Sequence, residues 1–130
     1  MNSKFKRPKR APIVKEFDKE AWQPKTQLGK DVKAGVYETI EDVFKSGRKI
    51  MEPEIIDCLI PNLKNKTIDV KKTTRVTRAG RHFSFRVTVV VGDQNGFVGV
   101  GTGKNIEKIT AQEKATLNAK LNLVYVRRGC

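Results

Sequence analysis

Arg75-Val-Thr-Arg-Ala-Gly-Arg-His-Phe-Ser-Phe-Arg-Val-Thr-Val-Val-Val-Gly-Asp-Gln-Asn-Gly-Phe-Val-Gly-Val-Gly-Thr-Gly-Lys104 carries the signals that decide the fold. Phe83, Phe85, Val87, Val89 and Val91 alternate with Ser84, Arg86, Thr88 and Val90, the period of two expected of a strand with one buried face. Asp93-Gln-Asn-Gly96 follows, a hairpin signal because Asn and Gly tolerate the positive φ of tight turns. Phe97 to Gly101 returns as a second, glycine-rich strand, and the stretch ends on Lys104. Upstream, Ile68 and Val70 open another strand that continues with polar alternates to Val76, and Arg78, Gly80 and Arg81 form a basic loop after it. Strands joined by cationic loops make a surface suited to a polyphosphate.

A helix is expected from Ile106 to Asn122. Ala111, Ala115 and Ala119 recur every four residues on one side, small enough for close approach to a sheet where Gly99 and Gly101 lack side chains. Ile106, Leu117 and Leu121 fall on nearly the opposite side, and two apolar stripes imply a helix covered on both. The second cover is expected from the upstream helices or from something beyond Cys130. Two short helices precede the strands. One has Thr39 as N-cap, Asp42 in its first turn, Val43 and Phe44 behind it, and Gly47 at its end. The other starts near Glu52-Pro53-Glu54, buries Ile55, Ile56, Leu59 and Ile60, and stops at Pro61. The expected fold is α+β, a three-stranded antiparallel sheet packed against helices in the order α-β-β-β-α. It resembles the double-stranded-RNA-binding fold.

Residues 1–30 read as an extended basic arm, and residues 31–130 as one RNA-binding α+β domain. The arm opens with Lys4, Lys6, Arg7, Lys9 and Arg10 without an acid, and Pro12 and Pro24 interrupt any helical pattern. Trp22 reads as the anchor of this arm rather than as a stacking platform for a base. The whole chain of 130 residues carries Lys+Arg 27 against Asp+Glu 14, a net charge of +13. Its sequence pI is near 10.0. Such a charge repels itself in a compact state and is expected where a polyanion neutralises it. The acids gather between Glu38 and Asp57, leaving the N-terminus and the 71–86 segment cationic.

Several function classes are excluded. No run approaches the about 18 apolar residues of a membrane helix, and no apolar stretch follows the N-terminal charges as in a secretory signal. Cys58 and Cys130 lie far apart and His82 is alone, so no metal-ligand spacing arises. Cys58 reads as a buried small hydrophobe. A phosphate loop at Gly99-Val-Gly-Thr-Gly-Lys104 fails because Val98 and Asn105 occupy positions that need Gly and Ser or Thr. The expectation is a soluble intracellular protein that is not an enzyme, with no cofactor, no metal and no membrane partner. RNA affinity should come mainly from cations meeting phosphates, with shape and 2′-hydroxyl contacts outweighing base reading. The candidate contacts are Arg78 and Arg81, with Gly80 permitting the turn, then Lys71, Lys72, Arg75, Arg86 and Lys104, and in the arm Lys4, Lys6 and Arg7.

The stretches 75–86 and 91–104, with Lys114-Ala115 and Ala119-Lys-Leu-Asn122 in the next helix, closely resemble the family of the fifth protein of the small ribosomal subunit. Trp22-x-Pro-x-Thr-x-Leu-Gly, Glu52-Pro-Glu-Ile-Ile-Asp57 and Val126-Arg-Arg-Gly-Cys130 resemble its archaeal and eukaryotic branch, the archaeal form more closely. The resemblance implies a cytoplasmic structural ribosomal protein that binds small-subunit rRNA near the neck and decoding region. Its implied partners are that rRNA, neighbouring small-subunit ribosomal proteins and mRNA near where it enters, and it implies a role in assembly and decoding accuracy. It also implies that the loop from Thr77 to His82 inserts toward rRNA, and that a second α/β domain of the family is absent from this chain. A different reading from the same charges is a free-standing regulatory protein that binds double-stranded RNA.

Overall fold

The computed structural model describes residues 17–129. Three short helices come first. In α1 (Gln27–Ala34), Thr26 caps the start by accepting the Gly29 N–H at 3.1 Å, and Gly35 at φ 86 ends it. Thr39 stands at the start of α2 (Ile40–Lys45), but its hydroxyl donates to the Asp42 carboxylate at 2.8 Å instead of accepting from the backbone. Pro53 opens α3 (Pro53–Leu59), where its fixed φ suits a first turn. The strands β1 (Lys64–Thr77), β2 (Gly80–Gly92) and β3 (Phe97–Asn105), the helix α4 (Lys108–Leu121) and a final strand β4 (Leu123–Tyr125) follow.

The sheet has four strands in the order β1-β2-β3-β4, all antiparallel, which corrects the three strands expected. A run of three residues is too short to display an alternation in sequence. β4 exists because Leu123 is buried, pairing with Gly99, while Tyr125 pairs with Phe97 at a ring separation of 5.2 Å. The β2–β3 turn also differs in detail. Positive φ falls on Gln94 (63°) and Gly96, not on Asn95, and the Asp93 carboxylate holds the loop by accepting the N–H groups of Asn95 and Phe97.

One sheet face carries the core. Val87, Val89 and Val91 of β2 are buried beside Gly99, Gly101 and Gly103 of β3, and Ala111, Ala115 and Ala119 of α4 lie against those glycines. A Cβ at Gly101 would fall on the backbone of Ala115 and Ala119, and one at Gly103 on that of Ala111 and Ala115. Leu28, Val32, Ile40, Val43, Ile50, Ile55 and Ile56 complete the core from α1 to α3, with Cys58 only half-buried at its edge. Lys120 ties α4 to α3 by bonding both carboxylate oxygens of Asp57, at 2.6 and 2.9 Å.

Folded structure reaches back across the boundary placed at residue 30. Trp22 is buried in the core and meets Phe17 edge-on at 6.0 Å, so it acts as the anchor expected of it. Glu52 clamps the following residues, its carboxylate accepting the N–H groups of Lys25 at 2.9 Å and Thr26 at 2.6 Å. Burial pushes the Glu52 carboxyl up, but these bonds outweigh it and hold the pKa below the ordinary glutamate value. Among the described residues, the upstream helices do not cover the second stripe of α4. Leu121 is half-buried against the core, but Leu117 is 45% exposed, and Ile106 lies ahead of the helix, exposed.

Candidate nucleic-acid interface

β1 and β2 pair from Lys64↔Gly92 to Thr77↔Gly80, whereas β3 leaves β2 at Phe85↔Asn105. Residues 73–77 and 80–84 therefore run on as a two-stranded ribbon beyond the sheet and beyond α4, for roughly 16 Å at about 3.3 Å per residue. Arg78 and Ala79 make its turn. Gly80 follows at φ 121, a conformation that side-chain-bearing residues rarely adopt, and the Thr77 hydroxyl donates to its carbonyl at 3.2 Å.

Residues opposite one another across a sheet share a face. Lys71, Arg86 and Lys104 stand opposite one another in a single row across β1, β2 and β3, on the face away from the helices. Arg75 and His82 form a further pair on that face, toward the hairpin tip. The row borders a depression of about 190 Å³ lined by Asp69, Lys71, Arg86 and Thr88. Among the described residues, only Asp69 offers compensation, at 3.3 Å from the Lys71 ammonium. Among the described residues, Arg75, Arg78, Arg81, Arg86 and Lys104 pair with no carboxylate. Like charges directly opposite in a sheet destabilise it, so a row of three is tolerable where an anion binds.

The expected contacts do not all gather in one place. Lys71, Arg75, Arg86 and Lys104 share the open face, while Arg78 and Gly80 are at the tip. Lys72 and Arg81 point to the other side of the ribbon, where the Lys72 ammonium sits 4.3 Å over the exposed Phe83 ring. Lys4, Lys6, Arg7 and Cys130 lie outside the described residues. Lys66 joins the open face without having been expected there. It is five residues from Lys71, which in a regular strand means opposite faces, but the register shifts between Thr67 and Asp69 and restores them to one. A bulge at Ile68 has no sequence signature of its own.

Acids gather elsewhere: Glu38, Glu41, Asp42, Glu52, Glu54 and Asp57 belong to α2, α3 and their approaches, where they outnumber Lys45, Arg48 and Lys49, whereas α1 and α4 carry more lysines than acids. The glycine-rich segment does not form a phosphate cradle. Gly99, Gly101 and Gly103 lie beneath α4, and Lys104 projects from the opposite face.

Residues 63–127 match the family described as ribosomal protein S5, N-terminal domain. The protein named small ribosomal subunit protein uS5 in Methanothermobacter thermautotrophicus is 47% identical over 118 residues, covering 91% of this chain and 55% of that protein. Its namesake in Hyperthermus butylicus is 50% identical over 116 residues, covering 88% of this chain and 54% of the relative. That of Pyrobaculum aerophilum is 47% identical over 126 residues, covering 97% and 58% respectively. The chain thus spans about half the length of the curated relatives it matches. By the matched domain, which holds the cationic row, the hairpin and α4 together, this chain belongs to the ribosomal protein S5 family.

Proposed function

We propose that this chain is a structural, non-catalytic constituent of the small ribosomal subunit in the cytoplasm, and that its cationic sheet face and hairpin lie on small-subunit rRNA. The observation that carries this reading is the Lys71–Arg86–Lys104 row, continued by Arg75 and the Arg78–Arg81 tip. A flat row of cations meets phosphates at repeated spacing, and a narrow ribbon enters between RNA helices where a globular face cannot. The relatives' name, small ribosomal subunit protein uS5, supports the choice of RNA. Within this proposal the RNA lies near the neck and decoding region, neighbouring ribosomal proteins flank the domain, and mRNA passes close by. The chain then supports assembly and decoding accuracy by holding rRNA rather than by chemistry.

Sedimentation of tagged protein through sucrose gradients tests the proposal. The expected result is co-migration with the small subunit that persists at moderate salt. Protein that stays at the top of the gradient while still binding duplex RNA would replace the proposal with a free-standing regulator.

A further inference from the structure

The end of the sheet away from the hairpin holds an aromatic cleft that the rRNA reading does not use. Phe97 forms its floor, only 7% exposed. The Phe44 ring lies nearly parallel to it at 6.0 Å, and the Tyr125 ring leans over it at 5.2 Å and 52°. Together with Glu41, Lys45 and Arg127 these rings line a cleft of about 360 Å³, within the size range of small-ligand sites. Tyr125 is 52% exposed, yet its neighbours hold it in place. Gly96 lies against the ring, the Val126 N–H donates to the Gly96 carbonyl at 2.6 Å, and Arg128 bonds the Asn95 side chain at 2.8 Å.

We propose that this cleft binds one unpaired nucleotide of an RNA, its base stacked on Tyr125 and its phosphate met by Lys45 and Arg127. The proposal rests on the RNA-binding reading but concerns a site at the opposite end of the sheet from the cationic row. A purely apolar ligand would strip water from two cations without replacing it, and a cationic ligand would be repelled by them. A nucleotide supplies a flat π-face for the rings, an anion for the cations, and base N–H donors for the Glu41 carboxylate. Lys45 is free to swing to a phosphate, since its only ion pair among the described residues is a loose 4.0 Å contact with Asp42.

The test measures binding of a fluorescein-labelled single-stranded oligoribonucleotide, and of the duplex of the same sequence, to the full chain by fluorescence anisotropy. Tyr125→Leu should weaken single-strand binding about ten-fold and leave duplex binding and the salt slope unchanged, because it removes base stacking and leaves every phosphate-binding cation in place. Arg78→Ala with Arg81→Ala should instead lower the salt slope for both ligands. Ultraviolet crosslinking of the unmodified chain to the single strand, with adducts mapped by mass spectrometry, gives a reading independent of any variant's folding. An adduct on Tyr125 is expected. Adducts confined to residues 71–86, with single-strand affinity unchanged in Tyr125→Leu, would overturn the cleft proposal while leaving the hairpin reading intact. A chain that binds neither ligand would overturn both.

Discussion

Gly101 is a position where one hydrogen atom decides the packing. Its missing Cβ lets the backbone of α4 settle on β3, and any side chain there would meet main-chain atoms of Ala115 and Ala119 that have no way to give. Gly101→Ala should cost roughly 1–3 kcal/mol or more, as overpacked cores do, and a urea titration will read it as a lower midpoint. Glu52 works through charge. Its carboxyl is held below the ordinary glutamate value, so its contribution is present above the unfolded-state pKa and is lost as pH falls through the folded one. Glu52→Gln should therefore be less stable than the parent at neutral pH, with the gap closing as the pH drops through and below the ordinary glutamate range. Denaturation midpoints at a series of pH values check this, and a gap that stays constant would remove Glu52 from the clamp on Lys25 and Thr26.

At the scale of elements, the hairpin separates binding from stability. The segment from 73 to 84 extends past the third strand and past α4, and exposed loop charges contribute little to folding. Arg78→Ala with Arg81→Ala should leave the thermal midpoint nearly unchanged. RNA affinity should fall, and the slope of log K against log salt should shrink by about one for each phosphate no longer neutralised. An unchanged slope and affinity would remove the tip from the binding surface. Legibility also varied by element. The period of two in β2 predicts its buried face, because Val87, Val89 and Val91 need only alternate to share it. β4 is not legible, since three residues hold no period and its place depends on Phe97 and Gly99 arriving alongside. The bulge in β1 is equally silent, and it alone brings Lys66 onto the face of Lys71.

Taken whole, the molecule is a two-layer sandwich whose open sheet face gathers cations while its helices carry both signs. That cationic face orients the domain toward a polyanion before the two surfaces meet. The outer side of α4 belongs to neither surface. Ile109 is 73% and Leu117 45% exposed, so Ile109→Gln and Leu117→Gln should each change the stability of the isolated chain by no more than about 0.5 kcal/mol. Thermal melts of the two variants will check it, and a large loss would mean that this stripe is covered after all. Sequence alone determined the α+β class, the β2–β3 hairpin, the alanine–glycine packing of α4 on β3, and the cationic character of the 71–86 segment. These follow from periodicity, turn chemistry and composition, which act between near neighbours in the chain. Only tertiary structure decided that Lys71, Arg86 and Lys104 form one row, that Lys72 and Arg81 leave it, and that Phe44, Phe97 and Tyr125 close around a cleft. Each depends on strand register or on packing between distant segments, and register is set by the whole sheet rather than by any one strand's residues.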